Sequence, residues 1–73
     1  MSRKVIKEVR RRLYMEDKNL THMAKDLGIS YSYMLDVLHG RRKSVPVVER
    51  IAAYLNYPEL VELYKEEFAV VQR

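Results

Sequence analysis

Cysteine is absent from these 73 residues and only two histidines are present, so neither a disulfide framework nor a Cys/His metal site can staple the fold. Packing alone must carry the stability. Glycine and proline are scarce, two of each, and each falls where a helix would stop or start, leaving no convincing strand. No apolar run approaches the roughly 18 residues that a membrane span requires. The opening Met-Ser-Arg-Lys leads straight into an alternating charged and apolar pattern. These absences predict a soluble, cytoplasmic chain with no membrane partner, and the missing cysteines fit a reducing compartment. At this length there is room for one domain, whose core forms only if nearly every apolar residue joins it.

Charge is present, and it is unevenly placed. Residues 1–43 hold 11 Lys/Arg against 5 Asp/Glu, a net of +6, whereas residues 44–73 hold 3 against 5, a net of −2. Such an asymmetry suits a module that turns one face toward a polyanion and uses the other end for something else. A solvated helical surface would carry the same charges.

Apolar residues recurring at period 3.6 predict an all-α chain of five helices, at about 2–15, 20–27, 31–39, 45–55 and 59–71. The first places Val5, Ile6, Val9 and Leu13 on one side, with Arg10, Arg11 and Arg12 largely off it. Asn19 is the expected N-cap of the second helix, Ser30 of the third and Ser44 of the fourth. Gly28 and Gly40 close the second and third, and Asn56 takes the C-terminal role that glycine often fills in the fourth. Pro46 is tolerated in a first turn, where the amides have no intrahelical acceptor, and Pro58 opens the last helix. Met15, Met23 and Met34 read as core filler or interface.

The functional argument turns on Leu20 to His39, LTHMAKDLGISYSYMLDVLH. A helix-turn-helix needs a small residue where its helices approach, an apolar residue before the turn, Gly in it, an apolar residue after it, and two on the inner face of the second helix. Ala24, Leu27, Gly28, Ile29, Met34 and Val37 occupy those places in order. An ordinary helical hairpin with a C-cap glycine needs neither this interval nor a second helix that starts so soon.

In its stretch AKDLGISYSY followed by HGRRK, and in IAAYLN at 51–56, the chain resembles the Cro and repressor (XRE-type) regulators of phages and bacteria. The resemblance covers about residues 5–57 and is strongest from Ala24 to Lys43. It implies a five-helix, lambda-repressor-like DNA-binding domain in a bacterial or phage-infected cell. The third helix would lie in the major groove of double-stranded DNA, and the N-terminus of the second would meet the phosphate backbone. B-DNA's major groove admits one α-helix, which puts the first turns of a short exposed helix against base edges. The base-contacting positions are then Ser30, Tyr31, Ser32, Leu35 and Asp36. Tyr31 and Ser32 stand where the family commonly places Gln and Ser or Thr. Leu35 and Asp36 depart from its polar or basic pattern. A leucine there would cover a thymine methyl and an aspartate would accept from cytosine N4, favouring a strand with T and C.

For phosphate, Asn19 and the amides of Leu20 and Thr21 form an exposed helix start, with the Thr21 and His22 side chains beside it. Tyr33 sits toward the flank, His39 ends the third helix, and Arg41, Arg42 and Lys43 follow where a loop would run beside the backbone. Arg3, Lys4 and Lys7 offer a weaker arm. Small repressors of this kind bind as dimers on two half-sites, and the stripe Leu60, Leu63, Tyr64, Phe68 and Val71 is the expected homodimer interface; the stripe can also cap the chain's own core, and both uses can share the helix. No cofactor, metal or small-molecule substrate is called for. Neither histidine has a partner suggesting catalysis, and no nucleophile-base pair or phosphate-cradling loop points to an enzyme. The competing reading is a protein-interaction module, an antirepressor or adaptor, that keeps this fold but offers Tyr31, Tyr33 and Leu35 to a regulatory protein.

Overall fold

The computed structural model describes residues 4–68. Within them the chain forms five α-helices and no strand: α1 (Lys4–Met15), α2 (Leu20–Leu27), α3 (Tyr31–Leu38), α4 (Val45–Leu55) and α5 (Glu59–Phe68). Residues 2–3 and 69–71 of the helices expected at the two ends, Val71 among them, lie outside the described residues. The radius of gyration is 11.3 Å, close to the ~11 Å expected of a compact chain of this length.

Local chemistry sets most helix boundaries. Asn19 is extended, and its side chain accepts from the His22 amide at 2.9 Å. Ser30 repeats the device, its hydroxyl accepting from the Tyr33 amide at 3.0 Å. Gly28 (φ 71°) and Asn56 (φ 53°) turn the chain left-handed after α2 and α4, which satisfies otherwise orphaned carbonyls. Two boundaries differ from expectation. Ser44 stands at the N-cap of α4, but its side chain makes no capping hydrogen bond; Pro46 at the helix start has already removed one of the donors that a cap would serve. α3 stops at Leu38, not at His39, which serves as its C-cap. The Glu16–Asp17 turn after α1 uses a left-handed aspartate (φ 59°) in place of the usual glycine.

All five helices contribute to one core. The expected stripes of α1 (Val5, Ile6, Val9, Leu13) and α4 (Val45, Val48, Ile51, Ala52, Leu55) are buried throughout, as are Met23 and Met34. Met15 is not: it is 71 % exposed, because the helix ends there and its side chain falls beyond the packed layer. α5 divides the stripe expected of a dimer interface. Leu60 and Tyr64 are fully buried in the chain's own core, while Leu63 and Phe68 pack half-buried against it. A domain this small lacks other apolar surface to close its base, so it draws Leu60 and Tyr64 inward and leaves Leu63 and Phe68 partly accessible. α5 packs on both α4 and α1, and the Glu67 carboxylate accepts from the Val5 amide at 2.9 Å. A negative side chain thereby covers the positive end of α1.

Gly40 (φ 80°) lies under the Phe68 ring, and a Cβ built on it would collide with that ring, whereas a Cβ on Gly28 would meet nothing. Gly28→Ala should therefore cost only the left-handed conformation, about 1–2 kcal/mol. Gly40→Ala adds a steric term of about 1–3 kcal/mol. Chemical denaturation of the two variants should rank Gly40→Ala clearly the worse; equal losses would contradict the Phe68 contact.

Candidate functional site

α2 and α3 are held from beneath at their C-terminal ends. Arg50 of α4 donates to the Leu27 carbonyl at 2.6 Å, and the Tyr54 hydroxyl donates to Asp26 at 2.5 Å, so α4 secures the last turn of α2. Tyr64 secures α3. Its hydroxyl lies 2.8 Å from the Val37 carbonyl and 3.1 Å from that of Arg42, and its ring meets Phe68 edge-on at 5.0 Å. The N-terminal ends are left open. Asn19, Thr21, His22, Ser30, Tyr31 and Ser32 are all exposed, and the amides of Leu20, Thr21, Tyr31 and Ser32 have no intrahelical acceptor.

Those two helix starts share a surface. One cleft of about 390 Å³ is lined by residues that include Asn19, Leu20 and Thr21 of the α2 start, Tyr31 of α3, and Arg10 and Lys18. A second, of about 380 Å³, runs between α1 and α3, with Ile6, Lys7 and Arg10 on one side and Tyr31, Leu35 and His39 on the other. Tyr31, 44 % exposed, belongs to both. The leucines differ from one another in what remains available. Leu20 is buried and reaches both clefts only as part of their walls, whereas Leu35 is half-buried against the core and lines the second cleft.

The basic segment after α3 is organised rather than splayed. Arg41 pairs with Asp36 at 2.9 Å, and the Asp36 carbonyl accepts from the Arg41 and Arg42 amides at 2.9 and 3.1 Å. The Arg42 guanidinium lies 5.7 Å from the Tyr33 ring centre, and the Lys43 ammonium donates to the Gly40 carbonyl at 2.8 Å. All three cations remain exposed. Ser30 spends its acceptor on the helix cap, while exposed Ser32 lies two positions further on, inside α3.

Sequence reasoning offered Lys7 only as part of a weaker arm and did not place Arg10 on this surface. Their spacing of three residues on α1, which puts both on one flank of the buried stripe, was the available signal; which helix they would face was not encoded locally. The three arginines of α1 separate as helical geometry requires: Arg11 and Arg12 both approach Glu8, at 3.5 and 3.7 Å, Arg12 also stacks 3.6 Å from the Tyr57 ring centre, and Arg10 turns to the clefts. The described residues contain no group of three or more His, Cys, Asp or Glu able to hold a metal, and no helix among them is long and apolar enough to cross a membrane.

Burial raises the pKa of the Tyr64 hydroxyl above its ordinary value near 10, and the hydrogen bond to Asp26 raises that of Tyr54. Both groups favour the protonated folded form, so their contribution is complete below the unfolded value and is lost as pH rises through the folded one. Thermal melts of the parent should fall above pH ~10, and Tyr64→Phe should flatten that fall; an unchanged slope would show that Tyr64 is not responsible. Comparison of the chain with protein-family models, with curated proteins and with solved structures finds no match.

Proposed function

We propose that this chain is a helix-turn-helix regulator of transcription, a repressor of the lambda-repressor-like kind, that binds double-stranded DNA with α3 in the major groove. The observation that carries the reading is the pair of open helix starts on one surface, with Tyr31 common to both clefts, while the opposite helix ends are pinned by Arg50, Tyr54 and Tyr64. A helix presented N-terminus first fits a groove, and adjacent free amides suit phosphate. Ser32, Tyr31 and Leu35 would meet base edges, Thr21 and His22 a phosphate on one side, and Arg41, Arg42 and Lys43 the backbone beyond α3. The Asp36–Arg41 pair supports this arrangement, since it neutralises a carboxylate that would otherwise repel DNA. Two copies on half-sites about 34 Å apart would supply the affinity that one small domain lacks. No catalytic step is assigned to it.

A second reading is favoured by one specific feature. Tyr31 and Leu35 stand over a cleft whose walls include Ile6 and Leu20, and an apolar patch of this kind also suits a regulatory protein, with little direct DNA binding. Binding to mixed-sequence duplex across a salt series separates the two. The DNA reading expects log affinity to fall linearly with log salt at a slope of about −3 to −5, from a handful of neutralised phosphates. Absence of binding at low salt would overturn it in favour of the protein-interaction module.

A further inference from the structure

The cleft between α1 and α3 holds two cations that the fold leaves unpaired. Arg11 and Arg12 both lean on Glu8, and Lys18 on Glu16. Lys7 and Arg10, exposed on the wall of this cleft, have no ion pair, side-chain hydrogen bond or ring contact with any described residue. No carboxylate lines the cleft among the described residues. The rest of its wall is mainly apolar. Ile6 and Leu20, 8 % and 6 % exposed, form the floor with half-buried Leu35, and the exposed Tyr31 ring stands at the rim. Unpaired positive charge beside an apolar floor, in about 380 Å³, is complementary to a small anion with a flat apolar body. We propose that this cleft is a binding site for a small aromatic carboxylic acid, its ring on Ile6, Leu20 and Leu35 beside Tyr31 and its carboxylate at Arg10 and Lys7.

Each part of the site selects against a different occupant. An inorganic anion would satisfy the cations and leave the apolar floor wet, whereas a neutral ring would cover the floor and leave both cations without a partner. An acid with a ring does both at once. The guanidinium fork of Arg10 suits a carboxylate taken through two parallel hydrogen bonds, and a volume near the lower end of the usual range for ligand pockets, about 300–1,000 Å³, holds one or two rings. Tyr31 and Leu35 are also the residues assigned above to base edges, so a bound acid and a duplex exclude each other, and the acid acts as an inducer. That consequence rests on the regulator reading; the pocket itself does not.

Naphthoate is the probe, titrated into the isotope-labelled full chain without DNA. An open cleft is expected to hold it with a Kd of about 0.1–1 mM, with amide shifts confined to residues 6–10, 20 and 31–39. Lys7→Gln/Arg10→Gln should raise that Kd about tenfold. Arg11→Gln removes the same charge from the same helix, but from a residue held by Glu8, and should change it by less than about twofold. All three side chains are exposed, so circular dichroism should show an unchanged fold. Neutral naphthamide should bind about tenfold more weakly. Absence of shifts up to ~5 mM naphthoate, shifts centred elsewhere, equal binding of naphthamide or an equal loss in Arg11→Gln overturns the pocket. Fluorescence anisotropy of a bound duplex reads the competition: saturating naphthoate should release it, and acetate at the same ionic strength, which has the charge without the ring, should not. Duplex that stays bound, or that acetate releases equally, overturns the competition while the regulator reading stands. A chain that binds no duplex ends the regulator reading and the competition with it, and the amide shifts still decide the pocket.

Discussion

Tyr64→Ala is expected to lower the melting temperature by roughly 15–30 °C, enough to leave the chain largely unfolded under ordinary conditions. Removing a fully buried aromatic costs about 3–5 kcal/mol, and a chain of this length has only about 4–10 kcal/mol in total; each kcal/mol moves the midpoint of so small a domain by about 4–8 °C. Three losses coincide at this position. The ring leaves the core, Phe68 loses its edge-on neighbour, and the Val37 and Arg42 carbonyls lose their shared donor. Tyr64→Phe separates them. It keeps the ring and removes only the hydroxyl, at about 1–2 kcal/mol, so it should fold while faster amide exchange appears after α3. A Tyr64→Ala variant within a few degrees of the parent would mean that α5 is dispensable, which the buried Leu60 and Tyr64 contradict.

Reversing Arg41 and Arg42 together to Glu should weaken duplex binding by about 10²–10³ at moderate salt and shrink the salt slope by about 2, alike for every sequence. Both side chains are exposed, so the fold should survive, although Asp36 then faces a like charge in place of its partner. Ser32→Ala is the counterpart. A single hydroxyl at a base edge is worth about 1 kcal/mol, so total affinity should change little and the preference among operators should relax, with the salt slope intact. Fluorescence anisotropy on a small panel of duplexes reads both quantities. Should the two variants lose selectivity equally, the division between backbone-contacting and base-contacting residues proposed above is wrong.

What could be read from the amino acids alone was whatever is local in the chain. Asn19, Ser30, Gly28 and Asn56 act within one turn of themselves, and the stripes of α1 and α4 need only a period to be recognised. What could not be read concerns which surface an apolar stripe covers. Leu60 and Tyr64 carry the same pattern whether they face a second copy or their own α1 and α4, and only the closure of the core decides. The Asp36–Arg41 pair crosses a helix end, where spacing rules lapse. Arg10 and Tyr31, 21 positions apart in the chain, line the same cleft. The exposed ends of α2 and α3 were legible from their caps, but the clamps that hold the opposite ends, Arg50 on Leu27 and Tyr64 on Val37, are long-range hydrogen bonds with no pattern in sequence.

The Tyr64 hydroxyl reaches carbonyls at both Val37 and Arg42, which makes the intervening stretch a loop tied at its two feet. Its length is then constrained as strictly as its composition. Inserting a single residue between Leu38 and Arg41 would swing one foot out of reach and carry Gly40 from beneath Phe68, so related chains that keep this knot should hold the residue count between Val37 and Arg42 fixed.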